Sequence, residues 1–417
     1  MPTRIDPGLD GLQGRVTLWQ MSRYFLRLGA LGFGGPVVLA QHMRGDLVEE
    51  HGWLTEAEYE DGLALATACP GPLAYQLGVY CGYVRFRIRG ALAVAVTFAF
   101  APFLIVTAAA ALYMRFAGAW EVKAIFYGVA PVIVALILKA CWQLGRKTLK
   151  TRRLAWLFAV VAAVITLAFK QELISLFVIA GLLGCLVFAG PRPPPPSTSS
   201  AATSSARVGW LALPGAWLSS TTGKLFVFFF KTGFLVFGSG LVIAPFLKVY
   251  VVDQYHWLTD RQFIDAVAIG MITPGPVVIT ATFVGYVLNG FQGGLAATVG
   301  MFAPSVLLTI VAAPRLKRYR ANHYLQGFLQ GIISAVVGAL FGTGILIATA
   351  AIGDVLTGVI AITSMAVILK WPKLPEVSIV SVGALLGLAG YYWLPRHGSE
   401  RLELSRMKTC KGQGDAQ

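Results

Sequence analysis

The second half of this chain repeats the first. Shifted by 204 positions, residues 31–72 align with residues 235–276 without a gap, and 14 of the 42 pairs are identical. The matched blocks are FGGP with FGSG, WLT with WLT, and PGP with PGP; the agreement of Trp and Pro-Gly-Pro in register excludes chance. The chain is therefore a tandem duplication, and we expect two homologous halves, a plan that is common among transporters.

Both halves consist largely of apolar stretches. Only 13% of the residues are charged, whereas soluble domains carry about 25%, which argues against a soluble enzyme or a nucleic-acid binder. We expect an all-α polytopic membrane protein with about 10–13 transmembrane segments. The apolar stretches are roughly 24–41, 62–83, 91–114, 122–144, 154–169, 172–190, 225–247, 266–288, 293–314, 325–349, 352–369 and 376–394.

Composition also divides the chain. Residues 191–207 read PRPPPPSTSSAATSSAR, which cannot pack a core and predicts a flexible linker. We expect five regions, namely an N-terminal tail (1–16), a first transmembrane repeat (17–190), the linker (191–222), a second transmembrane repeat (223–394) and a basic C-terminal tail (395–417).

The basic residues indicate how the halves are oriented. Loops 84–90, 145–153 and 315–320 carry net charges of +3, +5 and +4, most of the total of +15, whereas their counterparts in the other half carry 0, −1 and +1. Because basic loops face the cytoplasm, we expect inverted halves. Inverted halves require an odd number of membrane crossings between equivalent points of the two repeats. A total of ten or of thirteen crossings meets this condition.

Pro-Gly-Pro occurs inside an apolar stretch of each half, at residues 70–72 and 274–276. Proline removes a hydrogen-bond donor and glycine frees the backbone, so both motifs should break their helices at membrane depth. A half-helix that starts after such a break points N–H groups and a positive dipole end inward, which suits an anion. A simple kink is the alternative, but two copies at matching depth favour a site.

A glycine-rich motif lies late in the first apolar stretch of each half, FGGP at residues 33–36 and FGSG at residues 237–240. Both predict unwound backbone or, alternatively, close helix packing through small residues. Ser239 and Thr273 add hydroxyl groups near the breaks of the second half, where the first half has Gly35 and Cys69.

Charged residues recur at matching positions. Basic pairs near the glycine-rich motifs would attract an anion or extend to the membrane interface; they are Arg27 with Lys231 and Arg44 with Lys248. Matched acids would relay protons, cap helices or pair with Arg44; they are Glu49 with Asp253 and Asp61 with Asp265.

Other chemistry has no support in the sequence. The cysteines and histidines form no metal-ligand spacing, and there is no P-loop or nucleophile motif. We expect no catalytic residue, metal or cofactor and no enzyme activity. An integral-membrane enzyme or an assembly subunit is the alternative from a different class.

The repeated FGGP/FGSG, WLT and PGP…GY blocks resemble the chromate ion transporter (CHR) family in its long-chain, two-domain form, over about residues 17–394. The resemblance implies a multi-pass carrier of the bacterial inner membrane that exports chromate, confers chromate resistance, is energised by membrane potential or proton motive force, and has oppositely oriented halves. Sulfate is the implied competitor, and a carrier of sulfate or another oxyanion is the alternative function. The lipid bilayer is the other expected partner, nucleic acid is not, and self-association is left open.

The resemblance also assigns residues by motif. Those that match the family pattern are Phe33, Gly34, Gly35, Pro36, Arg44, Trp53, Pro70, Gly71, Pro72, Gly82, Tyr83, Phe237, Gly238, Trp257, Pro274, Gly275, Pro276, Gly285 and Tyr286. The second half departs from the pattern at Ser239 and Gly240.

We place the substrate site between the two halves, near the paired Pro-Gly-Pro breaks. The candidate residues for substrate binding and translocation are Phe33, Gly34, Gly35, Pro36, Arg44, Pro70, Gly71, Pro72, Tyr83, Lys231, Gly238, Ser239, Lys248, Thr273, Pro274, Gly275, Pro276 and Tyr286.

Overall fold

The computed structural model describes residues 16–33, 35–116, 119–149, 153–169, 174–188, 220–238, 243–315, 323–371, 374 and 376–393. The first half contains α1 (Leu18–Leu31), α2 (Gly35–Arg44), a π-helical turn (Gly45–Glu50), α3 (Glu56–Ala68), β1 (Gly71–Pro72), α4 (Leu73–Phe116), α5 (Trp120–Leu149), α6 (Arg153–Phe169) and α7 (Ile174–Phe188). Gly34, Ser239 and residues 191–219 of the predicted linker lie outside the described residues.

The second half repeats this order. It contains α8 (Thr221–Gly233), β2 (Phe237–Gly238), α9 (Ile243–Lys248), a π-helical turn (Val249–Gln254), α10 (Asp260–Ile272), a 3-10 turn (Val277–Ile279), α11 (Thr280–Ala312), a second 3-10 turn (Ala313–Arg315), α12 (His323–Ala351), α13 (Val355–Lys370) and α14 (Glu376–Trp393). Helix α8 begins at Thr221, close to the predicted start of the second repeat.

Helices α4 and α11 each fold back on themselves. The backbone of α4 leaves helical geometry at Phe86 and Arg87, and the Tyr75 hydroxyl donates to the Ala95 carbonyl at 3.1 Å. Helix α11 breaks in the same way at Asn289 and Gly290. Each of these helices is therefore a short arm and a long arm in antiparallel contact.

The short arms form hairpins with α3 and α10. Arg85, at the end of the short arm of α4, pairs with Glu58 at 2.7 Å, so this arm returns to the level at which α3 begins. Helices α3 and α10 have 13 residues each, which is about 20 Å of helix, and the bilayer core is about 30 Å thick. The Pro-Gly-Pro motifs are therefore the tips of two hairpins that are too short to cross the bilayer core.

The two hairpins enter the bundle from opposite ends. The long arm of α4 ends beside the second hairpin, where the Tyr113 ring meets the Phe283 ring with centroids 5.2 Å apart. Reciprocally, Ala312 at the end of α11 packs with Leu65 and Tyr80 of the first hairpin. Each long arm thus starts beside its own hairpin and finishes beside the hairpin of the other half.

The remaining helices of the two halves pack against each other through small residues. Gly338 of α12 lies against the backbone of Ala159 in α6, and Gly331 lies against that of Ala180 in α7. On the other side, Gly128 of α5 lies against Gly383 and Gly387 of α14. Close approach of helix backbones at small residues is typical of helix packing in membranes.

Four helical segments of the described residues are long and apolar enough to cross a membrane, namely Leu73–Phe116, Trp120–Arg146, Val277–Ala312 and Gln326–Thr349. Four shorter apolar helices accompany them, Arg153–Ala168, Leu176–Phe188, Val355–Lys370 and Glu376–Gly390. The predicted apolar stretches 24–41 and 62–83 are not continuous helices, because the chain unwinds at both glycine-containing motifs. The total number of crossings stays a prediction.

Candidate functional site

The hairpin tips exchange backbone hydrogen bonds between the halves. The Gly71 N–H donates to the Val236 carbonyl at 2.6 Å, and the Gly275 N–H donates to the Gly32 carbonyl at 2.9 Å. These bonds are equivalent under the sequence repeat. In the first of them the contact extends into a short parallel pairing in which Gly71 lies opposite Phe237 and Pro72 opposite Gly238. Each tip is therefore held by the glycine-rich segment of the other half.

The central glycines of both tips adopt backbone angles that a side chain disfavours, with φ of +146° at Gly71 and +92° at Gly275. There is also little room for a side chain at either glycine. A β-carbon on Gly71 would lie 2.6 Å from Gln76 Oε1 and 2.7 Å from Ser305 Oγ, and one on Gly275 would lie 2.6 Å from Pro102 Cγ. Glycine is thus required at both positions by backbone conformation and by packing.

A cleft lies where the tips meet. It is narrow, with a cavity volume of about 10 Å3, and is lined by Gly35, Pro36, Leu39, Pro72, Ala74, Gly275, Pro276 and Val277. Five of these residues are among the predicted site residues, and they come from both halves. The structure therefore brings these five residues together, and a substrate site between the paired Pro-Gly-Pro breaks stays a prediction.

Three helical segments begin at this cleft. Helix α2 starts at Gly35, α4 starts at Leu73, and the 3-10 turn that leads into α11 starts at Val277. The first N–H groups of a helix have no partner within it, and its dipole adds about half a positive charge at that end. The described lining residues include no carboxylate. The cleft is therefore suited to a hydrogen-bond-accepting anion.

The predicted cations Arg44 and Lys248 lie outside the lining of the cleft, in equivalent ion pairs. Arg44 contacts Glu56 at 2.9 Å and Glu49 at 3.9 Å. Lys248 contacts Asp260 at 3.1 Å and Asp253 at 3.6 Å. The hydrogen bond from Arg44 to Glu56 and the charge of that carboxylate raise the pKa of the Arg44 guanidinium further above its ordinary value. The predicted pairing of Glu49 with Arg44 is confirmed.

The other predicted residues divide by location. Phe33 precedes the cleft in the link between α1 and α2. The Thr273 hydroxyl donates to the Ile269 carbonyl of its own helix at 2.7 Å. Lys231 is exposed on α8. Tyr83 lies near the far end of the short arm of α4, under the Arg87 guanidinium, and Tyr286 has the equivalent place in α11.

The matched acids do not cap their helices. Thr55 and Thr259 are the N-caps of α3 and α10, each in a capping box with the residue three positions on. Asp265 is 2% exposed and accepts a hydrogen bond from the Tyr113 hydroxyl at 2.7 Å. The capping alternative for Asp265 is therefore wrong, because its side chain joins the two halves inside the bundle.

Sequence reasoning did not single out Gln76 or Ser305, which lie beside the first tip. Both are fully buried, and Gln76 Nε2, Gln76 Oε1 and Ser305 Oγ have no hydrogen-bond partner. The available signal was an amide four residues after Pro72 in an apolar segment, because polar groups at membrane depth are rarely idle.

The described residues contain no group of three or more His, Cys, Asp or Glu side chains that could hold a metal ion. A helical membrane protein whose two halves contribute broken helices to one central cleft has the architecture of a secondary transporter.

The family model described as chromate transporter matches residues 19–185 and 223–388, so the chain belongs to this family. It is 43% identical to the chromate transport protein of Cupriavidus metallidurans, over 90% of this chain and 94% of the relative. It is 39% identical to a probable chromate transport protein of Synechococcus elongatus, over 89% of this chain and 95% of that protein. The chromate transport protein of Pseudomonas aeruginosa is 31% identical, over 91% and 93% of the two chains. No solved structure matches the chain.

Proposed function

We propose that this protein carries chromate out of the cytoplasm across the bacterial inner membrane and so confers chromate resistance. The observation that supports this proposal best is the cleft between the hairpin tips, where three helical segments begin and no carboxylate is present among the described lining residues. Chromate is a tetrahedral oxyanion that accepts hydrogen bonds and donates few. Backbone N–H groups at helix starts can replace part of its hydration shell.

The cleft is also placed for alternating access. It lies between two hairpins that enter from opposite ends of the bundle, each too short to cross the bilayer core. If the ends that carry loops 84–90 and 145–153 face the cytoplasm, the first hairpin enters from the cytoplasmic side and the second from the periplasmic side. Rocking one half against the other around the tips would then expose the cleft to each side in turn.

The driving force follows from the charge of the substrate. A membrane potential that is negative inside drives an anion outward, by about 2.3 kcal/mol for each charge per 100 mV. Coupling to protons is the alternative, and Asp265 is the buried carboxyl that favours it, because a carboxyl away from water can carry a proton between states.

The test is uptake of labelled chromate into everted membrane vesicles. Vesicles with the protein should accumulate chromate when the lumen is made positive by a potassium diffusion potential with valinomycin, at equal pH on both sides. Vesicles without it should not. Uptake that needs a pH gradient instead would assign the coupling to protons, and the absence of uptake with intact protein present would refute chromate transport.

Sulfate separates the two substrate hypotheses. It has the same shape and charge as chromate at alkaline pH, so excess sulfate should compete for the same cleft. A lower half-saturating concentration for sulfate than for chromate would make this a sulfate carrier for which chromate is incidental.

A further inference from the structure

The strongest unassigned feature outside the backbone of the tips is a pair of polar side chains without partners. Gln76 in α4 and Ser305 in α11 are both 0% exposed. Both polar atoms of the Gln76 amide and the Ser305 hydroxyl lack any hydrogen-bond partner. A buried polar group without a partner is costly, and native structures rarely leave one idle. Three such atoms at one place indicate that something else binds there.

The pair lies at the first hairpin tip and spans the two halves. The same point beside Gly71, where a β-carbon would stand, is 2.6 Å from Gln76 Oε1 and 2.7 Å from Ser305 Oγ. Gln76 lies in the first turn of α4, four residues after Pro72, which lines the cleft. The absent side chain of Gly71 is what leaves room between the two polar groups.

The second tip has no such pair. The residue that matches Gln76 is Thr280, whose hydroxyl donates to the Val277 carbonyl at 2.9 Å. The residue that matches Ser305 is Phe103, which is apolar and buried. The buried polar groups without partners therefore lie beside the first tip and not beside the second.

We propose that the Gln76 amide and the Ser305 hydroxyl donate hydrogen bonds to the transported oxyanion as it passes the first tip. The amide offers two N–H donors and the hydroxyl offers one, and they stand beside the positive helix starts of the cleft. Both groups are neutral, so they can hold a tetrahedral anion without the strong attraction of a buried cation that would retain it. This inference rests on the proposed function and names the side chains that act in it.

The test compares three variants in the vesicle assay. Gln76→Met removes the amide at similar volume, and Ser305→Ala removes one hydroxyl. Thr166→Val is the matched control, because the Thr166 hydroxyl is equally buried and without a partner but lies on α6, away from the cleft. Membrane content and melting temperature in detergent are measured for each.

We expect the half-saturating chromate concentration to rise about tenfold in Gln76→Met and severalfold in Ser305→Ala, the size expected for lost hydrogen bonds to a charged group. Thr166→Val should leave it unchanged. A buried water could also occupy the space between Gln76 and Ser305. In that case both variants would keep the wild-type half-saturating concentration, and this outcome overturns the proposal.

The vesicle assay distinguishes failure of the proposed function from failure of the donor assignment. If the wild-type protein moves no chromate, the proposed function is wrong. If the wild type moves chromate and Ser305→Ala, a change small enough to be tolerated in a helix, matches it in every kinetic constant, only the assignment of the donors is wrong. Gln76→Glu adds a direct check, since a carboxylate at this position should repel the anion and lower uptake further than Gln76→Met.

Discussion

The Tyr113 hydroxyl donates a hydrogen bond of 2.7 Å to a carboxylate oxygen of Asp265. Tyr113 is near the end of the long arm of α4 and Asp265 is in the middle of α10, so this bond ties the crossing helix of the first half to the hairpin of the second. Both side chains are almost completely buried, with exposures of 8% and 2%. The bond therefore joins the two halves inside the bundle.

Removing this hydrogen bond should destabilise the protein. Tyr113→Phe leaves the Asp265 carboxyl without its hydroxyl partner in a buried place, which we expect to lower the free energy of unfolding by about 1–3 kcal/mol. Tyr127→Phe is the control, because the Tyr127 hydroxyl donates to Asp354 at 2.6 Å, an exposed residue to which water has access. Thermal unfolding in detergent measures both; equal melting temperatures for the two variants would contradict the assignment.

The hairpin tips should tolerate no side chain at their central glycine. Gly71→Ala and Gly275→Ala each combine a disfavoured φ with a crowded β-carbon. Backbone strain of about 1–3 kcal/mol at the cleft should lower chromate uptake about tenfold at normal membrane content. Gly353→Ala serves as the reference, because no atom lies within 4 Å of the new β-carbon. Full uptake in both tip variants would show that the tips do not form the pathway.

The equivalent ion pairs should differ in their effect on stability. The Lys248 side chain is 8% exposed and that of Arg44 is 51% exposed. Lys248→Met should cost about 1–3 kcal/mol of unfolding free energy because it leaves two carboxylates without their buried cation. Arg44→Met should change stability much less, since exposed ion pairs contribute little.

The same two variants examine the prediction that these cations bind substrate. Because neither residue lines the cleft, we expect the half-saturating chromate concentration in Arg44→Met and Lys248→Met to stay close to that of the wild type. A marked rise in Arg44→Met at unchanged stability would instead make Arg44 a substrate ligand at the mouth of the pathway.

The sequence repeat predicted both helix breaks but not the contacts that hold them. Two Pro-Gly-Pro motifs at matching depth predicted broken helices, and the structure has both breaks. The bond from Gly71 to Val236 could not be anticipated, because it joins residues that are distant in the chain and depends on how the halves pack. For the same reason, the charge of Arg44 and Lys248 alone predicts that they bind an anion. Their ion pairs with Glu56 and Asp260 depend on how the turn before the next helix folds, which the sequence does not reveal.

The opposite entry of the two hairpins yields a sharp test of membrane orientation. Arg89 and Gln292 occupy matching positions at the start of the long arms, and both are exposed. In a background without the five native cysteines, a membrane-impermeant maleimide should label Arg89→Cys from the cytoplasmic side and Gln292→Cys from the periplasmic side.

Arg146→Cys, near the end of α5, should be labelled from the same side as Arg89→Cys. Helix α5 starts beside the second hairpin, where Arg261 of α10 donates to the Lys123 carbonyl at 3.1 Å, and runs back across the bundle from there. Labelling of Arg89→Cys and Gln292→Cys from one side would refute the inverted arrangement, since the two hairpins would then open to the same compartment.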